Sequence, residues 1–307
     1  MKEIFANAIA CPVCKGFTTE VYVEGEDQDL ESSTIGSSRK SISPGSILRC
    51  HTCRFGFRPM RSSPEQLGEL YRQMDPEVYE LELEGRDRTA QRHLRIVHQY
   101  VRAGRLLDVG CASGLFLAHA SRAGWEVTGI EPNEKLCEEA GKNLDGKGKV
   151  QCATMETARL EGRFDAITLW DVLEHVPDPV RFLLDCCRVL QLNGYLFLNV
   201  PDLDSREARI LGKRWPLLLP EHLNYFNRQS LQLCAEQATL TPVLFGRRRA
   251  WFSLKYLAFR LAQHGILGSR LLQGAAKGPL AQIVVPVSLG ETFAVLRAER
   301  GGQGDAP

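Results

Sequence analysis

The segment LLDVGCASG (Leu106–Gly114) has the residue types of a ligand-binding turn and lies between a predicted strand and a predicted helix. Gly110 and Gly114 stand where the backbone must turn tightly and let a ligand approach, so a side chain at either would block the path or demand an unfavourable φ angle. Glu131 follows Gly110 by 21 residues and ends the next predicted strand. A carboxylate there accepts hydrogen bonds from both hydroxyls of a ribose. Together these residues predict a nucleoside-binding site.

A nicotinamide-dinucleotide site is the alternative interpretation of this turn. Such sites carry the pattern Gly-x-Gly-x-x-Gly after the first strand. In this sequence Gly110 is followed by Ala112 and then by Gly114, and the position that would complete the pattern is Leu115. The turn therefore argues against a dehydrogenase.

Two Cys-x-x-Cys pairs, Cys11/Cys14 and Cys50/Cys53, could hold a metal ion. Four thiolates in two tight turns match a tetrahedral structural zinc site, and four protein ligands leave no open position for catalysis. The polar, Ser-rich segment between the pairs is longer than is usual in a zinc ribbon, so it must loop out. Unrelated buried or redox-active cysteines are the alternative.

The other six cysteines fall in predicted strands and helices, and we expect them to be reduced, small core residues. They are Cys111, Cys137, Cys152, Cys186, Cys187 and Cys234. Ten cysteines without an export signal favour a cytoplasmic location, where thiols stay reduced. No stretch reaches the ~18 uninterrupted apolar residues of a membrane-spanning helix, so no membrane span is expected.

The composition is that of an ordinary globular protein, with 307 residues, 44% apolar residues and a net charge of +1. This length suffices for one main domain with an appendage. A nucleic-acid partner is not expected, because phosphate binding requires a concentrated field of Lys and Arg, although a local patch could be hidden in the average.

Candidate general bases follow the predicted strands. Glu221 and His222, in PEHLNYF, come after the last regular parallel strand, at the sheet edge where such folds bind ligands. His175, in VLEHV, follows the fourth strand and is a second candidate. A backbone hydrogen bond that orders the loop is an equally good interpretation of His175.

The elements that must position these residues alternate between apolar strands and amphipathic helices from Arg105 onwards. The predicted strands are Arg105–Cys111, Glu126–Glu131, Lys149–Ala153, Phe164–Trp170 and Tyr195–Val200, with later strands at Thr241–Phe245 and Glu291–Arg297. Helices are predicted over Arg86–Val101 and Leu115–Ala123, from Asn133, after the Asp178 N-cap, and near Ser230–Gln237. This alternation indicates right-handed crossovers and a parallel sheet.

These motifs resemble the class I S-adenosylmethionine-dependent methyltransferases, and particularly their small-molecule branch, which includes the ubiquinone-biosynthesis O-methyltransferases. The matching pieces, in family order, are LLDVGCASG, VTGIEP, FDAITLWDVLEHVPDP and LNGYLFLNVP. The resemblance implies an S-adenosylmethionine cofactor. It also implies an α/β, Rossmann-like fold with a mostly parallel seven-stranded sheet whose last strand is antiparallel, preceded here by a small zinc-ribbon-like module.

The resemblance further implies which residues bind the cofactor. Glu131 would hold the ribose, Thr154 and Met155 would lie at the adenine, and Asp171 would lie near the methionine moiety. The full set is Asp108, Gly110, Cys111, Ala112, Gly114, Glu131, Pro132, Thr154, Met155 and Asp171. Ala112 stands where the family often has a second glycine, and the acid common at the adenine position is absent unless Glu156 serves.

A second resemblance concerns the acceptor side. Glu221 and His222 followed by Tyr225 resemble the Glu-His-x-x-Tyr element of zinc-containing sugar C-methyltransferases, which also carry a four-cysteine N-terminal module. That family has a further large C-terminal domain that does not follow in this sequence. The resemblance therefore implies a small-molecule acceptor, such as a saccharide or related metabolite, with His222, Glu221, His175 and Tyr225 as catalytic candidates. Packing of His222 and Tyr225 within a lid is the alternative.

The expected domain organisation follows from these features. Residues 1–60 form the zinc module, 61–104 a linker with N-terminal helices, and 105–300 the methyltransferase domain. Segments 201–228 and 246–290 are acceptor-side insertions, and residues 301–307 form a disordered tail. The oligomeric state cannot be predicted.

The basic, apolar stretch 247–272 could lie on an anionic membrane and meet a lipid-linked acceptor. Its apolar residues at helical spacing are Trp251, Leu254, Leu257, Ala258 and Leu261. A lid or a dimer contact is the alternative for this stretch. For the whole chain, the alternatives are an RNA methyltransferase that uses the zinc module to bind nucleic acid, and a non-catalytic scaffold that keeps only the cofactor site.

Overall fold

The structure is a computed structural model that describes residues 9–25, 45–59, 69, 72, 82–263 and 279–299. Most of the predicted linker, the predicted tail 301–307 and the end of the basic stretch 247–272 lie outside the described residues. Among the described helices, none has the length and apolarity needed to cross a bilayer.

The N-terminal part of the chain forms a small antiparallel sheet. Its strands are β1 (Thr19–Val23), β2 (Ile47–Cys50) and β3 (Gly56–Phe57). β1 pairs with β2 through Thr19 opposite Cys50, and β2 pairs with β3 through Leu48 opposite Phe57. The strands therefore bring the two cysteine-containing turns to one end of the sheet.

From residue 83 to residue 201 the chain alternates between helix and strand. The elements are α1 (Leu83–Val97), β4 (Arg105–Val109), α2 (Leu115–Arg122), β5 (Glu126–Ile130), α3 (Glu134–Leu144), β6 (Gly148–Gln151), β7 (Phe164–Trp170), α4 (Pro179–Val189) and β8 (Leu190–Pro201). The later elements are α5 (Arg206–Leu211), β9 (Asn224–Tyr225), α6 (Arg228–Gln237), β10 (Leu240–Arg247), β11 (Ala250–Ser253), α7 (Leu254–Gln263), β12 (Val284–Val287) and β13 (Glu291–Ala298).

A seven-stranded sheet with the order β10-β13-β8-β7-β4-β5-β6 forms the centre of the fold. β4 pairs in parallel with both β5 and β7, and β7 pairs in parallel with β8. β13 is antiparallel to its two neighbours, β8 and β10. The predicted fold class, a mostly parallel sheet with an antiparallel last strand, is confirmed.

Both faces of the central sheet are covered, so its strands are apolar on both sides. Leu106 packs in a cluster with Val97 and Leu117, whereas the next residue, Leu107, packs in a separate cluster with Leu198. Successive side chains of a strand point to opposite faces. Burying each such side chain contributes about 1.5–3 kcal/mol, which holds β4 and the turn that follows it in place.

The strand β8 begins earlier than the sequence predicted. An Asn-Gly pair such as Asn193–Gly194 often ends a helix, but α4 already ends at Val189 and β8 begins at Leu190. Leu190 already pairs with Phe164 of β7, and an irregularity in register follows before the regular pairing resumes. Asn193 takes a φ of 63° within this irregularity, so its turn propensity is used in the strand.

The N-terminal sheet is completed by a strand from the C-terminal half of the chain. β9 pairs antiparallel with β3, which gives a four-stranded sheet of order β1-β2-β3-β9. The side-chain amide of Asn227 also donates to the carbonyl of Arg54 at 2.9 Å. The cysteine turns are therefore joined directly to the segment that carries His222 and Tyr225.

The prediction that all six remaining cysteines are reduced core residues is wrong for two of them. Cys137, in α3, and Cys152, after β6, form a disulfide. In this β-α-β unit the helix returns alongside its strand, which brings the start of α3 next to the residue after β6, with Cα atoms 5.7 Å apart. Cys152 is exposed, whereas Cys111, Cys186 and Cys234 are buried thiols, as predicted.

Candidate functional site

The glycine turn follows β4 at the carboxyl end of the parallel strands. Gly110 and Gly114 have φ angles of +70° and +76°, and Ala112 between them has a φ of +47°. A Cβ atom built on Gly110 would lie 2.9 Å from Val172 Cγ2, and one on Gly114 would lie 2.9 Å from Ala140 Cβ. Both positions therefore require glycine, because their φ angles are positive and a side chain at either would meet neighbouring residues.

Glu131 lies against this turn. Its Oε2 accepts a hydrogen bond from the Ala112 backbone N–H at 2.9 Å, and its Oε1 accepts one from the Asn133 N–H at 2.9 Å. Burial raises the pKa of Glu131, while the hydrogen bonds from Asn133 and Ala112 oppose that rise. The carboxylate is thus positioned by backbone donors beside the glycine turn.

Asp108 is buried beneath the same turn. The Thr168 hydroxyl donates a hydrogen bond to Asp108 Oδ1 at 2.6 Å. Burial raises the pKa of Asp108 to about 7, and the nearby charge of Glu131 acts in the same direction. Near neutral pH this carboxyl is therefore partly protonated, as expected for a buried acid beside a second carboxylate.

The segment predicted to contact adenine runs beside Glu131. The Ala153 N–H donates to the Glu131 carbonyl at 3.2 Å, and the Thr154 N–H donates to the Thr157 hydroxyl at 3.0 Å. Met155 is buried and Glu156 is exposed. The structure therefore places Thr154 and Met155 next to Glu131, at the ends of β5 and β6.

Asp171, which follows β7, is engaged by an arginine that the sequence analysis did not identify. Both carboxylate oxygens accept hydrogen bonds from Arg248, at 2.8 and 2.9 Å, and Asn199 Nδ2 donates to Oδ1 at 2.6 Å. Partial loss of solvent would raise the pKa of Asp171, but Arg248 and Asn199 outweigh it and hold the pKa below its usual range. Arg248 also donates to the buried Glu291. The run of three arginines, Arg247–Arg249, is the sequence feature that could have identified this partner of Asp171.

His175, after β7, and His222, before β9, are brought together. Their ring centroids are 4.8 Å apart, with one ring edge-on to the other. His175 Nδ1 lies 3.0 Å from the Glu221 carbonyl oxygen, and His222 Nδ1 lies 2.9 Å from the Leu217 carbonyl oxygen. Burial lowers the pKa of both imidazoles, so both are neutral near pH 7.

Tyr225 lies in the core next to these histidines. It is buried within β9, its hydroxyl donates to the Leu219 carbonyl at 3.3 Å, and its ring packs against Trp215. Burial raises the pKa of its phenol. In this arrangement Tyr225 positions the loop that carries His222.

Glu174 is a site residue that the sequence analysis missed. It is 1% exposed, and its Oε2 has no hydrogen-bond partner among the described residues. Burial, and after it the charge of Asp171, raise the pKa of Glu174 well above its usual value. A glutamate between the apolar Leu173 and the candidate His175 was the signal that could have identified it.

The four N-terminal cysteines converge. Their four sulfur atoms all lie within 4.8 Å of one another. Cys11 Sγ is 3.6 Å from Cys53 Sγ, and Cys14 Sγ is 3.4 Å from Cys50 Sγ. A hydrogen bond from Cys53 lowers the pKa of Cys11 to about 5. This donor set and its clustering fit a tetrahedral zinc ion.

The two cysteine turns have the same backbone geometry. The N–H of Lys15 donates to the Cys11 carbonyl, and the N–H of Arg54 donates to the Cys50 carbonyl, each at 2.9 Å. Lys15 and Arg54 both have a φ of 59°. Each turn thereby aims two sulfurs at one point.

Comparison with known proteins bears on the whole central domain. The family described as a methyltransferase domain matches residues 81–244. A ubiquinone biosynthesis O-methyltransferase of Chromobacterium violaceum is 26% identical over 198 residues, which cover 61% of this chain and 74% of that protein. One from Xanthomonas oryzae pv. oryzae is 37% identical over 100 residues, which cover 31% of this chain and only 42% of that protein.

A solved structure shows the same fold. The S-adenosylmethionine-dependent methyltransferase of Thermotoga maritima superposes with a TM-score of 0.50 at 19% identity, covering 76% of this chain and all of that one. The family match spans more than half of the chain and contains the glycine turn, Glu131 and the loop with His175. The chain belongs to the methyltransferase-domain family, as a class I S-adenosylmethionine-dependent methyltransferase.

Proposed function

We propose that the protein transfers the methyl group of S-adenosylmethionine to a small molecule. The observation that carries this proposal is the position of Glu131, whose carboxylate accepts the Ala112 N–H of the glycine turn. A carboxylate at this place can bind both ribose hydroxyls while the side-chain-free backbone at Gly110 and Gly114 admits the rest of the nucleoside. A degenerate site would have lost one of these features.

Methyl transfer needs accurate placement more than it needs acid–base chemistry. When bound, S-adenosylmethionine supplies a methyl group on a positively charged sulfur. The turn and Glu131 fix the nucleoside, Thr154 and Met155 flank its base, and Asp108 and Asp171 lie toward its amino-acid part. The chain must then hold the acceptor atom in line with the leaving sulfur, which converts a bimolecular reaction into an oriented one.

The acceptor is proposed to bind between two loops that face the turn. One loop follows β7 and carries His175, and the other precedes β9 and carries Glu221 and His222. The names of the O-methyltransferase relatives support oxygen as the acceptor atom. Because His175 and His222 are neutral near pH 7, either can take the proton of a hydroxyl group.

The finer proposal for the acceptor is a saccharide or a lipid-linked metabolite. The resemblance of Glu221, His222 and Tyr225 to the sugar C-methyltransferase element supports the first. For the second, α7 buries Ala258 against the protein but leaves Phe259 42% exposed, so this aromatic side chain is available to a lipid surface.

A structural zinc ion is proposed at Cys11, Cys14, Cys50 and Cys53, as their converging sulfurs support. With four thiolates the ion would have a closed coordination shell and would only stabilise the fold. Since β3 pairs with β9, that ion would brace the loop that carries His222.

Labelled S-adenosylmethionine tests the proposed function. The purified protein is incubated with the label and either a metabolite extract or total RNA. We expect label in the metabolite fraction and none in RNA. Label in RNA would instead support the RNA methyltransferase alternative, and cofactor binding without transfer to either fraction would favour the scaffold.

A further inference from the structure

We propose that the Cys137–Cys152 bond is a reversible redox site, opened by a small-molecule thiol, and that its state sets the affinity of the cofactor site. The bond joins α3 to the residue that follows β6. Two residues after Cys152 the chain reaches Thr154, which is expected at the adenine. The control of affinity rests on the proposed function, whereas the reversible opening of the bond does not.

This pair differs from the other cysteines of the chain. All ten cysteines lie in the part of the chain that the structure describes, and the remaining eight are free thiols. Cys11 Sγ and Cys53 Sγ are not bonded although they are 3.6 Å apart, and neither are Cys14 Sγ and Cys50 Sγ at 3.4 Å. The bond therefore reflects the placement of its two residues and not a general oxidation of the chain.

A thiol can reach the bond from the side of Cys152. This residue is exposed, whereas Cys137 is only 5% exposed. Thiol–disulfide exchange begins when a thiolate attacks one of the two sulfurs, and access decides which sulfur is attacked. The difference in exposure directs the attack to Cys152 Sγ.

The opening of the bond balances with two equivalents of thiol. A thiolate bonds to Cys152 Sγ, the S–S bond breaks, and its electron pair leaves on Cys137 Sγ, which takes up a proton. A second thiolate bonds to the sulfur of the attached thiol, and the electron pair of that mixed disulfide leaves on Cys152 Sγ, which is also protonated. Two small thiols are thus oxidised to one disulfide while the protein disulfide is reduced to two thiols.

The backbone on either side of Cys152 is bonded to the residue that is proposed to hold the ribose. The Glu131 N–H donates to the Gln151 carbonyl at 3.1 Å, and the Ala153 N–H donates to the Glu131 carbonyl at 3.2 Å. Cys152 lies between these two contacts. Its sulfur is therefore attached to the strand end that lies against Glu131.

The other half of the bond belongs to a helix that also begins at Glu131. The Asn133 N–H donates to Glu131 Oε1 at 2.9 Å, and the Asn133 side chain caps α3 by accepting the Leu136 N–H at 3.1 Å. The Cys137 N–H donates to the Asn133 carbonyl at 2.9 Å. The disulfide thus ties together two segments that each contact the ribose-binding carboxylate.

Opening the bond should loosen both segments. A disulfide restricts the chain that it closes, and the two cysteines are separated by 15 positions in the sequence. A site whose parts are already held in place loses less conformational entropy when a ligand binds. The closed form should therefore bind S-adenosylmethionine more tightly than the open form. Because coupling between two sites is reciprocal, bound cofactor should make the bond harder to reduce by the same factor.

Isothermal titration with S-adenosylmethionine compares the two forms of the full chain. The wild type is titrated with the bond closed and again after reduction by a phosphine that is then removed. We expect the reduced form to bind at least ~5-fold more weakly. Cys152→Ser should bind as the reduced wild type does and should not respond to the phosphine. Cys187→Ser, which replaces a free cysteine, is the matched control and should keep the full difference. Equal affinity of the closed and open wild type would overturn the control of affinity and would leave the proposed function intact.

Alkylation of free thiols tests the redox site without reference to cofactor or activity. The full chain is equilibrated in buffers with different ratios of reduced to oxidised glutathione, and labelling of Cys137 and Cys152 is measured by peptide mass spectrometry. We expect the two residues to gain label together, and S-adenosylmethionine to move the midpoint toward more reducing buffers by the same factor as the affinity difference. A bond that does not form, or that stays closed at every ratio, would overturn the proposal.

Failure of the proposed function gives a different result. Neither form of the chain would then bind S-adenosylmethionine, which would also overturn the control of affinity. Labelling of the two cysteines would still decide whether the bond opens and closes.

Discussion

At the scale of single residues, the glycine turn depends on backbone conformations that only certain side chains allow. Gly114 has a φ of +76° and no room for a Cβ atom next to Ala140. Ala112, in contrast, tolerates a φ of +47° with its side chain in place. The substitution of alanine for a second glycine is therefore accommodated, whereas Gly114 is not replaceable without movement of the turn.

Replacing Gly114 with alanine should destabilise the protein. A left-handed backbone costs a non-glycine residue about 1–2 kcal/mol, and the new Cβ would meet Ala140 Cβ at 2.9 Å. We expect the free energy of unfolding, measured by chemical denaturation, to fall by at least ~1 kcal/mol, with weaker cofactor binding. Gly141→Ala is the matched control, since this exposed position in α3 has open space around it and should gain ~0.5–1 kcal/mol of helix stability. Equal effects of the two substitutions would contradict this account.

At the scale of elements, the small N-terminal sheet and the loop that carries Glu221 and His222 form one unit. β9 is the edge strand of the sheet that carries the cysteine turns, and Arg58 extends the pairing by donating its N–H to the Leu223 carbonyl at 2.9 Å. The guanidinium of Arg58 also donates to the Pro220 carbonyl. The order of the cysteine turns is thus coupled to the position of His222.

Removing the proposed structural zinc should loosen this unit. The double variant Cys14→Ser/Cys50→Ser is expected to lose about one zinc ion per chain and several kcal/mol of stability, because metal binding and folding are coupled at such sites. Elemental analysis and thermal unfolding provide the measurements. Cys187 lies outside the cluster, so the variant Cys187→Ser serves as the control and should bind as much zinc as the wild type. An unchanged zinc content in the double variant would exclude the cysteine cluster as the site.

At the scale of the whole molecule, long periodic elements could be predicted and short non-local contacts could not. The strand Phe164–Trp170 and the Asp178 cap agree with the sequence pattern, because an apolar run and an N-cap are local signals. β9 has two residues and therefore no pattern, and its pairing with β3 joins parts of the chain far apart in sequence. The Asp171–Arg248 pair spans 77 residues, and the Cys137–Cys152 disulfide depends on how α3 returns along the sheet.

The same limit applies to the site. Gly110, Gly114 and Glu131 could be named from spacing, since they belong to one β-α-β unit with a known geometry. Glu174 could not be named from spacing. Its place in the site depends on its burial and on the approach of His222 from a loop 48 residues away in sequence.

Isothermal titration of the purified protein with S-adenosylmethionine tests the central claim most directly. We expect the wild type to bind and Glu131→Ala to bind more weakly by about 1–3 kcal/mol, or roughly 5- to 150-fold, through loss of charged hydrogen bonds to the ribose. Glu138→Ala, which removes an exposed carboxylate from α3, should bind as the wild type does. Absence of binding by the wild type, or equal affinity of Glu131→Ala, would contradict the account.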